Sequence, residues 1–344
     1  MKTKKPQSPG ADSDDVTQTF SSTSSTPGTR HPFSRIKRHP RILTTMAVAL
    51  VMLVAVTSMV SRSTNASAHP TSTLVNTAHG PCSSASACGF PNARNTGIPM
   101  GTKLTPYTGS SEIRQDGTVL DRVDINGGLD IYANNVTIKN SRITSADWWG
   151  VLLRENYSNL KILHCTFIGQ QTSGKGEYAV TNFGYGYVEV ANSNFTSWQD
   201  AIDLGAGYVH DNYVHDVASV ANAHTNAFMS EGGSPQGLRV IHNTLLNFDE
   251  QTASGALSLF PDSDSISNVT VEDNWLAGGS YTLYGGERGG STTSKNVKIL
   301  NNVFSPEHYP QVGYYGPVTD FYMGGPENVF EGNVFANGRP VVYS

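Results

Sequence analysis

The sequence predicts an all-β, single-domain parallel β-helix, and three observations carry that prediction. A short phrase recurs eight times: an apolar–polar–apolar run, a small polar residue (usually Asn or Ser), one further residue, and a large apolar one. The copies are NVTIKNSRI (135–143), NLKILHCTF (159–167), YVEVANSNF (187–195), YVHDNYV (208–214), LRVIHNTL (238–245), NVTVEDNWL (268–276), NVKILNNVF (296–304) and NVFEGNVF (328–335). Their closing residues lie 19 to 31 residues apart, with 31 occurring three times. At such a period one unit cannot bury its apolar face alone and must stack on the next. Alternation of period two inside each copy marks a strand rather than a helix. The third observation is compositional: 34 glycines, with Asn, Ser and Thr filling the gaps, suit many short strands joined by turns.

Taken in chain order, residues 1–41 are expected to be a disordered basic region, its first 29 residues rich in Ser, Thr and Pro. Residues 42–68 read as a signal peptide or a signal anchor. Arg30, Arg35, Lys37, Arg38 and Arg41 precede an apolar run from Ile42 to Val60, and Ala66-Ser67-Ala68 then offers a small-residue cleavage site. The rival to cleavage is an uncleaved anchor, because the 19 mostly apolar residues just reach across a bilayer. Either way the positive flank stays inside and the body is expected to be secreted or at the cell surface; a membrane partner enters only if the anchor is retained.

Residues 69–89 are expected to be a linker, and Cys82 and Cys88 to close a small disulfide loop in an oxidising compartment. Cys165 takes the place held elsewhere by Ser141, Ser193 or Asn212, which predicts a buried, unreactive ladder residue. The solenoid domain is assigned to residues 90–344, with the Gly- and Pro-bearing stretch 89–109 expected to cover the first coil. No second module is expected after the solenoid, and a monomer is expected.

Charge narrows the partners. Residues 1–68 hold 9 Lys+Arg and 3 Asp+Glu, so the rest of the chain carries 14 basic and 25 acidic residues, a net of -11. A body this acidic repels polyanions at long range, which argues against nucleic acid.

A second strand recurs between the phrases and is the candidate cleft. Its copies are WGVLLR (149–154), YAVTN (178–182), DAIDL (200–204), NAFMSE (226–231), GALSL (255–259), YTLYG (281–285) and TDFYM (319–323). The third position is always apolar and is expected to point inward. By alternation, positions two, four and six are expected outward, and the small residues at position two are expected to leave a shallow trough. The ladder residues Asn212, Asn243, Asn274, Asn302 and Asn333 read as structural amides stacked at a turn.

Carboxylates supply the chemistry. Asp203 and Glu231 fall on neighbouring coils, offset by two residues, so their Cβ atoms should lie roughly 8 Å apart. Side-chain reach then spans the separations used by retaining and inverting glycosidases. Asp200 is the third carboxylate. His224 is expected to reach the cleft as acid or base, while the neighbouring histidines flank ladder positions and make a metal site improbable. No cofactor is implied, although Asp200 and Asp203 offer oxygen ligands of the kind Ca²⁺ takes. Lys175, Arg154 and Arg288 are the cations available if the chemistry is instead β-elimination. Trp149, Tyr178, Tyr284 and Tyr322, with Arg154, are the substrate-binding candidates, since sugar rings dock on aromatic faces.

The phrases GFPNARNTGIPMGT, HTNAFMSEGG, VIHNTLLN, GGSYTLYGGE and GYYGPVTDFYMGGPENVFEGNVF, within about residues 89–340, resemble secreted actinobacterial members of the pectate-lyase-like superfamily. The resemblance implies a right-handed parallel β-helix and a carbohydrate-active protein with a polysaccharide partner. It carries over no catalytic residue. The WIDH-type strand and the RxPxxR arginine of pectate lyases are missing, and DAID at 200–203 only loosely echoes the paired aspartates of polygalacturonases. Hydrolysis by an acid/base carboxylate pair is therefore the leading expectation; elimination by a lyase, or sugar binding by a non-catalytic adhesin or scaffold, are its rivals.

Overall fold

The computed structural model describes residues 79–170, 176–218, 223–232, 236–288 and 293–343. The basic region 1–41, the signal or anchor segment 42–68, the first part of the linker and Lys175 lie outside the described residues.

Strands of the described chain form three parallel sheets of ten, nine and nine strands, and each coil contributes one strand to each sheet in turn. The chain is thus a right-handed parallel β-helix, the hand that a right-twisted strand imposes on parallel crossovers. Every sheet donates apolar columns to the interior. In the ten-stranded sheet the column is Ile125, Ile143, Phe167, Phe195, Val214, Leu245, Leu276, Phe304 and Phe335. Ile138, Ile162, Val190, Val209, Val240, Val271 and Ile299 form the column of the sheet that precedes it along each coil. Like stacks on like, as with Phe167 and Phe195, whose rings are 4.8 Å apart and nearly parallel.

Each repeat phrase is two strands meeting at a corner rather than one. In the first copy, Thr137–Lys139 belongs to one sheet and Arg142–Ser145 to the next. Asn140 turns the corner with φ 50°, and His164, Asn192, Asp211, His242, Asp273, Asn301 and Gly332 repeat that left-handed conformation coil after coil. Asn, Asp and Gly tolerate it best, which explains the polar residue ahead of every ladder position.

The ladder itself is continuous. Cys165 N–H donates to Ser193 Oγ (3.0 Å), Ser193 N–H to Asn212 Oδ1 (2.9 Å), and Asn212 N–H to Asn243 Oδ1 (3.0 Å). Asn243, Asn274 and Asn302 pass the same bond on to Asn274, Asn302 and Asn333 at 2.9–3.0 Å. These amides are buried, and their Nδ2 groups also donate to carbonyls of the preceding coil, so the corner satisfies its own backbone. Cys165 fits the same column. Burial pushes its thiol up to about 12, against backbone hydrogen bonding that lowers it.

The segment expected as linker and first-coil cover docks on the solenoid along its length. Cys82 and Cys88 are disulfide-bonded, and Cys82 N–H donates to Ala336 O in the last coil. Phe90 is fully buried against Trp275 and His242, Thr244 Oγ1 donates to Pro91 O, and Gly97 N–H donates to Asn192 O. The chain then pairs Thr105 with Val123 in the ten-stranded sheet. Residues 82–105 therefore form a strap that runs back along the outside of that sheet from the last coil to the first.

Candidate active site

The candidate cleft is the outer face of the nine-stranded sheet containing Trp149–Leu153, Tyr178–Asn182, Asp200–Asp203, Thr225–Ser230, Ala253–Leu259, Tyr281–Gly285 and Gly316–Thr319. The third position does point inward: Val151, Val180, Ile202, Phe228, Leu257 and Leu283 are in register and in the core. Position two corrects the expectation. Ala179, Ala201, Ala227 and Ala256 belong to the core cluster, and a Cβ on Gly150 would meet Phe167 and Trp198. Positions two and three both pack inward: position two has no register partner on these rungs, so the alternation slips there and positions one, four and six share the outer face. No trough of small residues exists; instead position one of one coil meets position four of its neighbours.

The seventh copy is also displaced. Leu283 pairs with Val318 and Tyr284 with Thr319, so the last strand is Gly316–Thr319. Tyr322 lies beyond it, with its carbonyl accepting from Asn328 Nδ2, and does not hold position four. Phe321 nevertheless packs into the core, against Phe330 and Tyr343, which is why its apolar character mimics a register residue.

A carboxylate cluster forms on the central coils. The pairing Asp203–Met229 places Glu231 two residues beyond the residue opposite Asp203, as the spacing implies. Asp200 is buried at position one, opposite Asn226. Its Oδ1 accepts from Asn226 Nδ2 at 2.7 Å and its Oδ2 from Gln199 Nε2 at 3.3 Å. Asn226 is fixed in turn: its Oδ1 accepts from Ser258 Oγ (2.6 Å) and Gly255 N–H (3.2 Å). Thr181 Oγ1 donates to Asp203 Oδ2 at 3.3 Å from the preceding coil.

Electrostatics follow from this crowding. Burial pushes the Asp200 carboxyl up to about 8, with Glu177 adding to the rise and the Asn226 and Gln199 hydrogen bonds opposing it. Asp203, which keeps partial solvent access, is raised well above the carboxylate range by burial and then by the negative charges of Glu231 and Asp200. The Tyr178 phenol is also pushed up, by burial and by Asp203, Glu177, Asp200 and Glu231. One aromatic hydroxyl thus sits among four acidic side chains. Like charges at close range cannot all ionise, so the cluster favours protonated carboxyls, Asp200 first among them.

The other candidates fall elsewhere. Arg154 is committed to Asp130, with Nε and Nη2 donating to Oδ1 at 2.8 and 2.5 Å, and its guanidinium lies over Trp149, 5.1 Å from the ring centroid. Trp149 is next to Tyr178 by register and packs edge-on to Phe183. Arg288 is ion-paired with Asp262. His224 precedes the strand Thr225–Ser230 and Glu231 follows it, so the two are roughly 20 Å apart; the His224 carbonyl instead accepts from Asn226 Nδ2 (3.3 Å), at the Asp200 end of the strand. The neighbouring histidines are hydrogen-bonded to aspartates, His210 and His242 sharing Asp211, and His215 bonding Asp216. Among the described residues no group of three His, Cys, Asp or Glu converges as a metal cage.

His224 and Tyr284 instead line an open cavity of about 550 Å³, with Asp249, Glu250, Tyr309, Tyr314 and Tyr315. Sequence reading missed Glu177, Asn226, Asp249 and Tyr309. An acid directly before the position-one tyrosine was the available signal for Glu177. The others needed the third dimension.

No family model, curated protein or solved structure matches the chain.

Proposed function

We propose that this is a secreted, carbohydrate-active β-helix protein of the pectate-lyase-like kind that binds a polysaccharide along this sheet and hydrolyses it. The observation that carries the reading is the Asp203–Glu231 pair beside buried Asp200 and Tyr178. A carboxyl whose burial and acidic neighbours favour its protonated form, while it remains partly open to solvent, is suited to protonate a glycosidic oxygen as it leaves. Asp203 is assigned that general acid role. Glu231 is assigned the second carboxylate, acting on water or on the anomeric carbon, at a backbone separation compatible with either stereochemical course. Asp200 and Tyr178 are positioning groups that keep the Asp203 proton in place. The Cys82–Cys88 disulfide supports an extracytoplasmic location.

The test is incubation of the full chain with a panel of neutral, acidic and amine-bearing polysaccharides, reading both new reducing ends and unsaturated uronide absorbance. Reducing ends without unsaturation are expected. Asp203→Asn and Glu231→Gln should each lower the rate at least about 100-fold, the usual scale for a proton-transfer group. Unsaturated products would replace hydrolysis with elimination, and retained binding without any product would make the protein a scaffold.

A further inference from the structure

We propose that the open cavity beside Tyr284 binds an amine-bearing, cationic sugar unit, which makes the glycan a deacetylated hexosamine polymer rather than a neutral or uronic one. This rests on the glycan reading above and adds the substrate class. Two features of the cavity argue for it.

The first is ring geometry. Among the tyrosines lining the cavity, Tyr309 and Tyr314 are 5.7 Å apart at 80°, and Tyr314 and Tyr315 are 4.7 Å apart at 87°. Rings set at right angles do not make the flat platform on which a sugar face lies. They make walls, and walls of negative π-face surround a compact cation. Tyr314 and Tyr315 remain 55% and 66% exposed, so their faces are available.

The second is charge. Asp249 and Glu250 line the cavity, and no described Lys or Arg does. Burial would raise Asp249, yet hydrogen bonds from Thr252, Gln251 and Thr225 outweigh it and hold the carboxyl below its ordinary value. Its negative charge is therefore fixed in the loop wall, while Glu250 is exposed beside it. Aromatic walls with carboxylates that no lining Lys or Arg neutralises favour an ammonium over a hydroxyl and repel a uronate.

The cavity and the carboxylates also lie along one register column of the sheet. Asp203, Met229, Ser258 and Tyr284 are consecutive register partners on the outer face, three rungs spanning about 14 Å. A chain laid along those rungs places one sugar at the cage and another at Asp203.

Calorimetric titration of the full chain carrying Asp203→Asn, which blocks turnover, tests this. The ligands are a glucosamine tetramer, its N-acetylated counterpart, a cellotetraose and a tetragalacturonate. The glucosamine tetramer should bind at least about tenfold more tightly than the others and weaken with added salt. Tyr314→Ala and Glu250→Gln, both at exposed positions, should each weaken it about three- to tenfold. Equal affinity for the acetylated or neutral tetramer, or no binding by any, overturns the proposal. Cleavage of a glycan panel without preference for amines would overturn it while leaving hydrolysis standing. Amine-selective binding without cleavage would do the reverse.

Discussion

Replacing Asp200 by Asn should stabilise the protein at alkaline pH, an unusual direction for a buried polar position. Its carboxyl titrates at about 8 in the folded chain, against an ordinary value near 3.8. A folded-state value above the unfolded one means that the native state holds the proton longer. The stability Asp200 contributes is fully present below about pH 4, declines as pH rises, and is lost once the folded carboxyl ionises above about pH 8. Four units correspond to a ceiling of about 5 kcal/mol, and relaxation around a buried ion reduces the expected effect to about 2–4 kcal/mol. Asparagine keeps an oxygen for Asn226 Nδ2, and Gln199 needs only to turn its amide to face the new NH₂. Urea unfolding of both forms at pH 5, 7 and 9 reads the difference as midpoint shifts at constant slope. The native protein should lose stability from pH 5 to 9 and the variant should lose less, ending more stable at pH 9. A variant with the same pH slope, or one destabilised at pH 9, would refute the assignment of a trapped proton to this carboxyl. Such a cost retained in a native protein is the pattern expected where a residue serves chemistry rather than folding.

Other consequences are simpler. Asn243→Ala strips the acceptor from Asn212 N–H and Nδ2 and the donor from Val209 O, and should cost about 3 kcal/mol or more in urea unfolding, whereas the exposed Gln115→Ala should be near neutral. Phe90→Ala, which empties the pocket between the strap and Trp275, should cost about 3–5 kcal/mol; a loss under about 1 would mean that the strap is not part of the cooperative fold. Cys165 should resist thiol reagents until the chain unfolds, because its thiol is buried and titrates near 12; rapid labelling in native buffer would contradict the ladder.

The eight-fold phrase was enough to give the parallel β-helix, the inward columns and the asparagine ladder. Those features repeat, and a residue that must stack on its own kind in the next coil leaves a period in the sequence. The same logic found Asp203 and Glu231 as neighbours, since register between adjacent strands follows from aligned copies. It failed where the period stops. Strict alternation puts position two outward, but the ladder skips that position and packs it inward, and Tyr322 reads as a strand residue because Phe321 is as apolar as a true register residue.

Tertiary structure alone decided the rest. Residues 82–105 carry no repeat, so nothing local announces that Phe90 lies against Trp275 or that Cys82 meets Ala336. His224 and Glu231 share one short stretch of sequence, yet a fully extended strand sends them to opposite ends of the sheet. Asp249 comes from the loop before Ala253–Leu259 and Tyr309 and Tyr314 from the single loop before Gly316–Thr319, two coils on, and they meet only because the stacking brings them to one side. The chain's periodic part wrote its own backbone into the sequence, because each coil is the template for the next; its aperiodic loops built the cavity, because their partners are set by distances that only the finished solenoid defines.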